Sequence, residues 1–214
     1  MPEIDRVVPS TPDQEVLRTI ICILGLPRQV SVEALVVVNG QGELTRTTHT
    51  VTEWNCGGAA KYLLITGAGI GEQTCRSFNM EDLVQNLGLT RTENVRAQGY
   101  PVPSTLEHGQ WVVEQLAELG VKRAALYASL YHIPRVYLTV LRYLMDRGLD
   151  REVLIIPRPV PQSPFDPSPE TGQAMFDLIP GEVRRIVTYG NPKRGDIASS
   201  QELYAYIRWA WSVI

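Results

Sequence analysis

The chain has 214 residues, 44% of them hydrophobic, and a formal net charge of −3. That is enough apolar material for a full core, without the clustered lysine and arginine that bind nucleic acid through its phosphates, so nucleic acid is not an expected partner. Cys22, Cys56 and Cys75 are too few and too widely spaced for a disulfide framework or a metal site. Residues 16–26 are apolar, but they are too short for a membrane span and are interrupted by Arg18, which points to a soluble, cytoplasmic protein with no membrane partner.

Thr11 can cap a first helix, with Pro12 in its first turn and Asp13 and Glu15 at the positive end of its dipole. Val16, Ile20, Ile23 and Leu24 follow at helical spacing until Gly25 and Pro27 end the run. Residues 34–38 are an unbroken apolar run that reads as a strand buried on both faces, and they end in Asn39-Gly40. Residues 43–57 are polar and threonine-rich and read as a loop or irregular excursion, with residues 58–61 closing a short helix. A second buried strand over 62–66 runs into Gly67-Ala68-Gly69-Ile70-Gly71. Asn79 caps a helix over 80–87, and a short strand falls near 94–97.

Ser104 opens a helix to about residue 119, with Val112, Val113 and Leu116 inward and Gly120 as its stop. A strand over 124–128, a helix over 134–147 and a strand over 153–156 follow. The inner face of that helix carries Val136, Val140, Leu141 and Leu144. This alternation predicts an α/β, Rossmann-like, doubly wound and mostly parallel sheet with helices on both faces. Six prolines between 157 and 169 read as a surface loop or lid, followed by helix and turn over 171–188. Ser199 and Glu202 form a capping box for a last helix. Leu203, Tyr206, Ile207, Ala210 and Trp211 share one face of it, and Trp209 points elsewhere. The expected organisation is an N-terminal helical segment (1–30), an α/β core (31–157) and a proline-rich and helical extension packed on it (158–214).

Tyr131, His132 and Arg135 stand where a strand gives way to a helix, the place where open α/β sheets bind ligands. His132 could serve as an acid or base near neutral pH, and Arg135 offers a fork suited to carboxylate or phosphate. The alternative is that they only decorate a turn. Gly67 and Gly69 could cradle an anion through their amides or make a plain turn. Their spacing is not the dinucleotide fingerprint, and no lysine holds a phosphate-loop position. Ser104 and Glu107 have capping-box spacing. Functionally, Ser104, Thr105 and His108 could hold ligand, and Glu107 could act as a base. Asn39 and Gly40 end the first strand, and Arg46 in the polar excursion could close over an anion. No metal-ligand spacing and no nucleophile elbow are present.

Taken in order, these elements resemble the YdcF-like proteins, the group that includes SanA and ElyC. The correspondence runs through Leu64-Ile65-Thr66-Gly67-Ala68-Gly69 and Ser104-Thr105-Leu106-Glu107-His108. It is closest at Ala128-Ser129-Leu130-Tyr131-His132-Ile133-Pro134-Arg135. Ser104 and His108 stand where the family has asparagines. The resemblance spans roughly residues 33–157 and implies a nucleotide-binding type of α/β fold with its motifs at one edge. It also implies S-adenosylmethionine or a nucleotide-like molecule as a ligand. The resulting expectation is a small-molecule-binding, enzyme-like protein with His132 and Glu107 as acid–base candidates. The alternative is a non-catalytic metabolite sensor or partner-binding protein. The apolar surface of the 134–147 helix also permits a homodimer.

Overall fold

The computed structural model describes residues 11–40, 42–67, 78–102, 104–191 and 193–214. Five strands of the described residues form one all-parallel sheet: β1 (Ala34–Val37), β2 (Tyr62–Ile65), β3 (Val95–Ala97), β4 (Arg123–Ser129) and β5 (Leu154–Val160). Their order is β3-β2-β1-β4-β5. The chain therefore winds outward from β1 to β3, then crosses back to β4 beside β1. The adjacent pair β1 and β4 is the switch point where doubly wound sheets open a crevice beyond the strand ends.

Among the described residues seven helices surround the sheet: α1 (Pro12–Leu24), α2 (Leu44–Asn55), α3 (Met80–Leu87), α4 (Thr105–Glu118), α5 (Ile133–Asp146), α6 (Met175–Tyr189) and α7 (Ser200–Val213). In β4, Tyr127 and Ser129 reach side chains at the start and end of α2, so alternate residues face that helix. Ala124, Leu126 and Ala128 then face the other way, and α5 packs against β4 and β5. Helices α4 and α5 pack closely because position 109 has no side chain: a Cβ there would lie 2.7 Å from Thr139 Cγ2 and 3.2 Å from Tyr143 Cδ2. Helices α1, α6 and α7 pack together around α5. No helix among the described residues is long and apolar enough to cross a membrane.

Most local signals hold. Thr11 and Gln14 form a capping box, Asn79 caps α3, Ser104 caps α4, and Ser199 and Glu202 form the second capping box. Four expectations need correction. Residues 44–55 are not a loop but α2, and residues 57–61 follow it without helical structure. Helix α2 escapes a hydrophobic reading because its buried face is Arg46, Thr47, Thr50, Val51 and Trp54, helical in spacing but mostly polar. On α7 the two tryptophans exchange roles. Trp209 packs against the core and the Tyr206 ring, while Trp211 is 56% exposed. Most apolar side chains of α5, whose surface the sequence offered for a homodimer, are buried within the chain.

The fourth correction concerns Pro157 and Pro159, which lie in strand β5 rather than in a loop. Strand β5 is a sheet edge, where only alternate residues must donate inward. Leu154 N–H donates inward to Lys122 O, whereas Ile155 N–H points outward and is taken at 2.8 Å by the Tyr206 hydroxyl. Pro157 and Pro159 share the outward parity of Ile155, where a missing N–H costs nothing. The Tyr206 hydroxyl also donates to Val153 O at 2.8 Å and thereby seals the edge. Tyr206→Phe should cost about 1–3 kcal/mol, because it leaves the buried Ile155 amide without an acceptor. Urea unfolding measures this directly.

Candidate functional site

The site is built from the ends of β1 and β4. After β1, the Asn39 side chain donates to Thr66 O at 2.8 Å and accepts from Thr47 Oγ1 at 2.7 Å. It therefore ties the ends of β1 and β2 to α2 rather than reaching out. Gly40 follows, and a Cβ there would lie 3.4 Å from Arg46 Nη1 and 3.6 Å from His132 Cε1. A side chain at this position would start in van der Waals contact with Arg46 and the histidine ring. Glu43 occupies the N-cap of α2 but makes no capping bond. Its carboxylate turns inward instead.

There it forms a buried ion pair with Arg46 (Nη2 to Oε2 2.6 Å), with both side chains essentially inaccessible. The Tyr131 hydroxyl donates to Glu43 Oε1 at 2.7 Å, and the Ser129 hydroxyl donates to Oε2. Arg46 uses its whole fork: Nε reaches Glu43 and Ser129, Nη1 reaches Val38 O at 3.1 Å, and Nη2 reaches Tyr131 at 3.2 Å. Its Nη1 also lies 3.0 Å from His132 Nδ1. Arg46 is therefore an internal brace with no exposure, not a loop residue able to close over a ligand.

The other side of His132 carries a second arginine. Arg135 Nη2 lies 3.0 Å from His132 Nε2. Its Nε donates to Glu182 Oε2 at 2.6 Å, and its Nη1 donates to Thr105 Oγ1 at 2.7 Å. His132 is thus held between two guanidinium groups and is 4% exposed. Burial first, and then the charges of Arg135 and Arg46, hold its pKa well below the ordinary histidine value, with smaller contributions from His108 and Arg185. Burial likewise pushes the Tyr131 phenol upward.

A depressed histidine pKa has a fixed thermodynamic sign. Unfolded His132 takes up a proton near pH 6.5 while the folded side chain remains neutral, so stability falls as pH drops below about 6.5. The slope reaches about 1.4 kcal/mol per pH unit. Urea titrations across this range should show a steeper acid loss in the wild type than in His132→Gln.

Beside this cluster opens a cavity of about 410 Å³. Asn39, Gly40, Ser104, Thr105, His108, His132, Arg135, Thr139, Arg185 and Arg194 are on its wall, together with three apolar or aromatic side chains. The described lining includes three arginines, two histidines and the start of α4, with no acidic side chain. Glu182 offsets part of the charge from behind Arg135 and Arg185, and Asp196 pairs with Arg194. A second, larger cavity of about 690 Å³ lies among α1, α5, α6 and α7 and contains none of the strand-end residues.

The structure therefore unites Asn39, Gly40, Ser104, Thr105, His108, His132 and Arg135 at one wall and places Arg46 and Tyr131 behind them. Glu107 does not join them. It is exposed, with its amide capped by Ser104 Oγ, and is not part of the cavity lining. Gly67 is not a ligand cradle either. A Cβ there would overlap Tyr100 O and lie 2.9 Å from Gln98 O, and its amide is taken by Gln98 Oε1 at 3.1 Å. Its glycine lets the ends of β2 and β3 converge. Gly69 lies outside the described residues.

Glu43 and Glu182 share the site's charge balance without having been singled out by sequence, and Arg185 and Arg194, part of a basic group with Lys193 and Arg184 that reads from sequence as a solvated face, line the cavity instead. Glu43 had a signal, its three-residue spacing to Arg46, which places both on one helical face. Glu182 had none, because it meets Arg135 from 47 residues away. Among the described residues no group of histidine, cysteine and acidic side chains could hold a metal ion. No protein-family model matches the chain, and no curated protein matches it.

Proposed function

We propose that the protein binds a small anionic metabolite in the cavity at the β1/β4 switch point. The observation that carries this reading is the lining itself: Arg135, Arg185, Arg194 and His132 around the start of α4, with no carboxylate among the described wall residues. Arginine forks and a helix N-terminus suit phosphate and carboxylate groups. The likeness of Tyr131-His132-Ile133-Pro134-Arg135 to the YdcF-like pattern supports the same location. It also makes nucleotides and S-adenosylmethionine the first larger candidates.

The lack of an acidic wall residue, and of an exposed base among those described, favours binding without turnover as the second reading. A metabolite sensor built on this pocket would leave its ligand unchanged.

A thermal-shift screen of inorganic phosphate, sugar phosphates, nucleotides, S-adenosylmethionine and di- and tricarboxylates tests the proposal. A ligand present at a hundred times its Kd adds about 2.7 kcal/mol. For a chain of this size that raises Tm by roughly 5–10 °C. Arg135→Gln should remove most of the shift. A folded protein that responds to no anion would overturn the reading. Mass spectrometry of the first ligand after incubation then separates enzyme from sensor.

A further inference from the structure

We infer that His132 carries its ring proton on Nε2 and, with Arg135, forms a two-donor seat for an oxygen of a phosphoryl group on the ligand. The inference rests on the anion-binding reading of the cavity and deepens it.

A neutral imidazole has one donor nitrogen and one acceptor nitrogen. Both ring nitrogens of His132 face a guanidinium at 3.0 Å: Nδ1 faces Arg46 Nη1, and Nε2 faces Arg135 Nη2. Guanidinium N–H groups only donate. One contact is therefore a hydrogen bond to the ring, and the other sets two donors against each other.

The surroundings decide which is which. Arg46 is wholly buried and cannot shift, because Glu43, Ser129, Val38 O and Tyr131 hold every part of its fork. A proton on Nδ1 would set a buried N–H against the Arg46 N–H, a costly arrangement. With Nδ1 as acceptor, the Arg46 side is satisfied. The mismatch then falls on the Nε2 side, where Arg135 is 13% exposed and both side chains border the cavity.

At that position an acceptor can enter from solvent. An anionic oxygen seated beside this contact, with the Arg135 fork turned toward it, would accept from both His132 Nε2–H and Arg135 and remove the mismatch. The nearby α4 start and the Arg185 and Arg194 side chains add donors for further oxygens. A tetrahedral phosphoryl group uses such a surround more fully than a planar carboxylate does. His132 in this state is a donor to ligand and not a general base. Charged or titratable groups face it from several sides: Arg46 from α2, Arg135 from α5, Arg185 from α6 and His108 from α4. Glu43 and Glu182 stand behind the two inner arginines. In this arrangement Glu43 and Arg46 are positioning residues that set the tautomer.

Long-range ¹H–¹⁵N correlation spectra of the three histidine rings test this, with His132→Gln identifying the His132 signals. The expected pattern is a neutral ring protonated on Nε2 from about pH 8 to about pH 5.5, a range across which an ordinary histidine titrates. A proton on Nδ1, or an imidazolium at neutral pH, would overturn the inference. If phosphate nevertheless binds, the anion-binding reading survives that result.

Titration with inorganic phosphate should move the Nε2–H signal, and Arg135→Gln should weaken that binding tenfold or more. Arg135→Lys keeps a charge opposite Glu182 and serves if Arg135→Gln does not fold. It should still lose the fork and most of the affinity. Acetate binding as tightly as phosphate would overturn the phosphoryl assignment. Phosphate binding that leaves the His132 signals unmoved would overturn the seat.

Discussion

Glu43→Ala should destabilise the protein by about 3–5 kcal/mol, a large share of the total stability of a domain of this size. Among the described residues Glu43 is the only carboxylate paired with Arg46, and the Arg46 side chain has no contact with solvent. Removing it leaves a guanidinium charge in the interior, and the Tyr131 hydroxyl loses its acceptor. The loss of a buried partner, not the intrinsic strength of the pair, sets this magnitude. The double variant Glu43→Gln, Arg46→Met should therefore recover much of the loss in urea unfolding, because it takes away the orphaned charge as well. It should not recover the His132 tautomer, since nothing then donates to Nδ1. A Glu43→Ala protein as stable as the wild type would show that water reaches Arg46 and that the cluster is not sealed.

Trp54→Ala should cost about 3–5 kcal/mol through the cavity it leaves. Trp54 is 1% exposed and is among the largest fully buried side chains. Its indole N–H donates to Arg91 O at 2.6 Å, and the Arg91 guanidinium lies over its ring, 3.8 Å from the centroid. The neighbouring Asn55 grips the same connection, donating to Gly88 O and accepting from Thr90 and Arg91 amides. The end of α2 thus holds the segment that delivers edge strand β3. Trp54→Phe keeps most of the volume and loses the hydrogen bond, so its smaller cost, about 1–2 kcal/mol, isolates that bond. Guanidinium-induced unfolding of the three proteins, followed by far-ultraviolet circular dichroism, gives both differences. If Trp54→Ala costs under about 1 kcal/mol, α2 does not anchor the β3 connection.

The alternation of unbroken apolar strands with amphipathic helices was legible along the chain because both periodicities are local. The same holds for the caps at Thr11, Asn79, Ser104 and Ser199, where one side chain answers an amide three residues on. The strand-end position of Tyr131, His132 and Arg135 followed from the same local signals. Helix α2 was not legible, since its inner face carries Arg46 and three threonine or valine side chains in place of an apolar stripe. Burial there is made possible by the Glu43 carboxylate at the helix start and by the hydroxyls of Ser129 and Tyr131, which arrive from far along the chain. Pro157 and Pro159 were compatible with a strand only once β5 was known to be an edge with its outward donors already committed. What the sequence by itself determined is the set of elements and the residues at their ends. What only the tertiary structure decided is their pairing. Glu43 meets Arg46, Ser129 and Tyr131, Glu182 reaches Arg135, and two arginines close on one histidine. Apart from the short spacings of Glu43 to Arg46 and of His132 to Arg135, these contacts depend on distance in space, and no spacing along the chain encodes them.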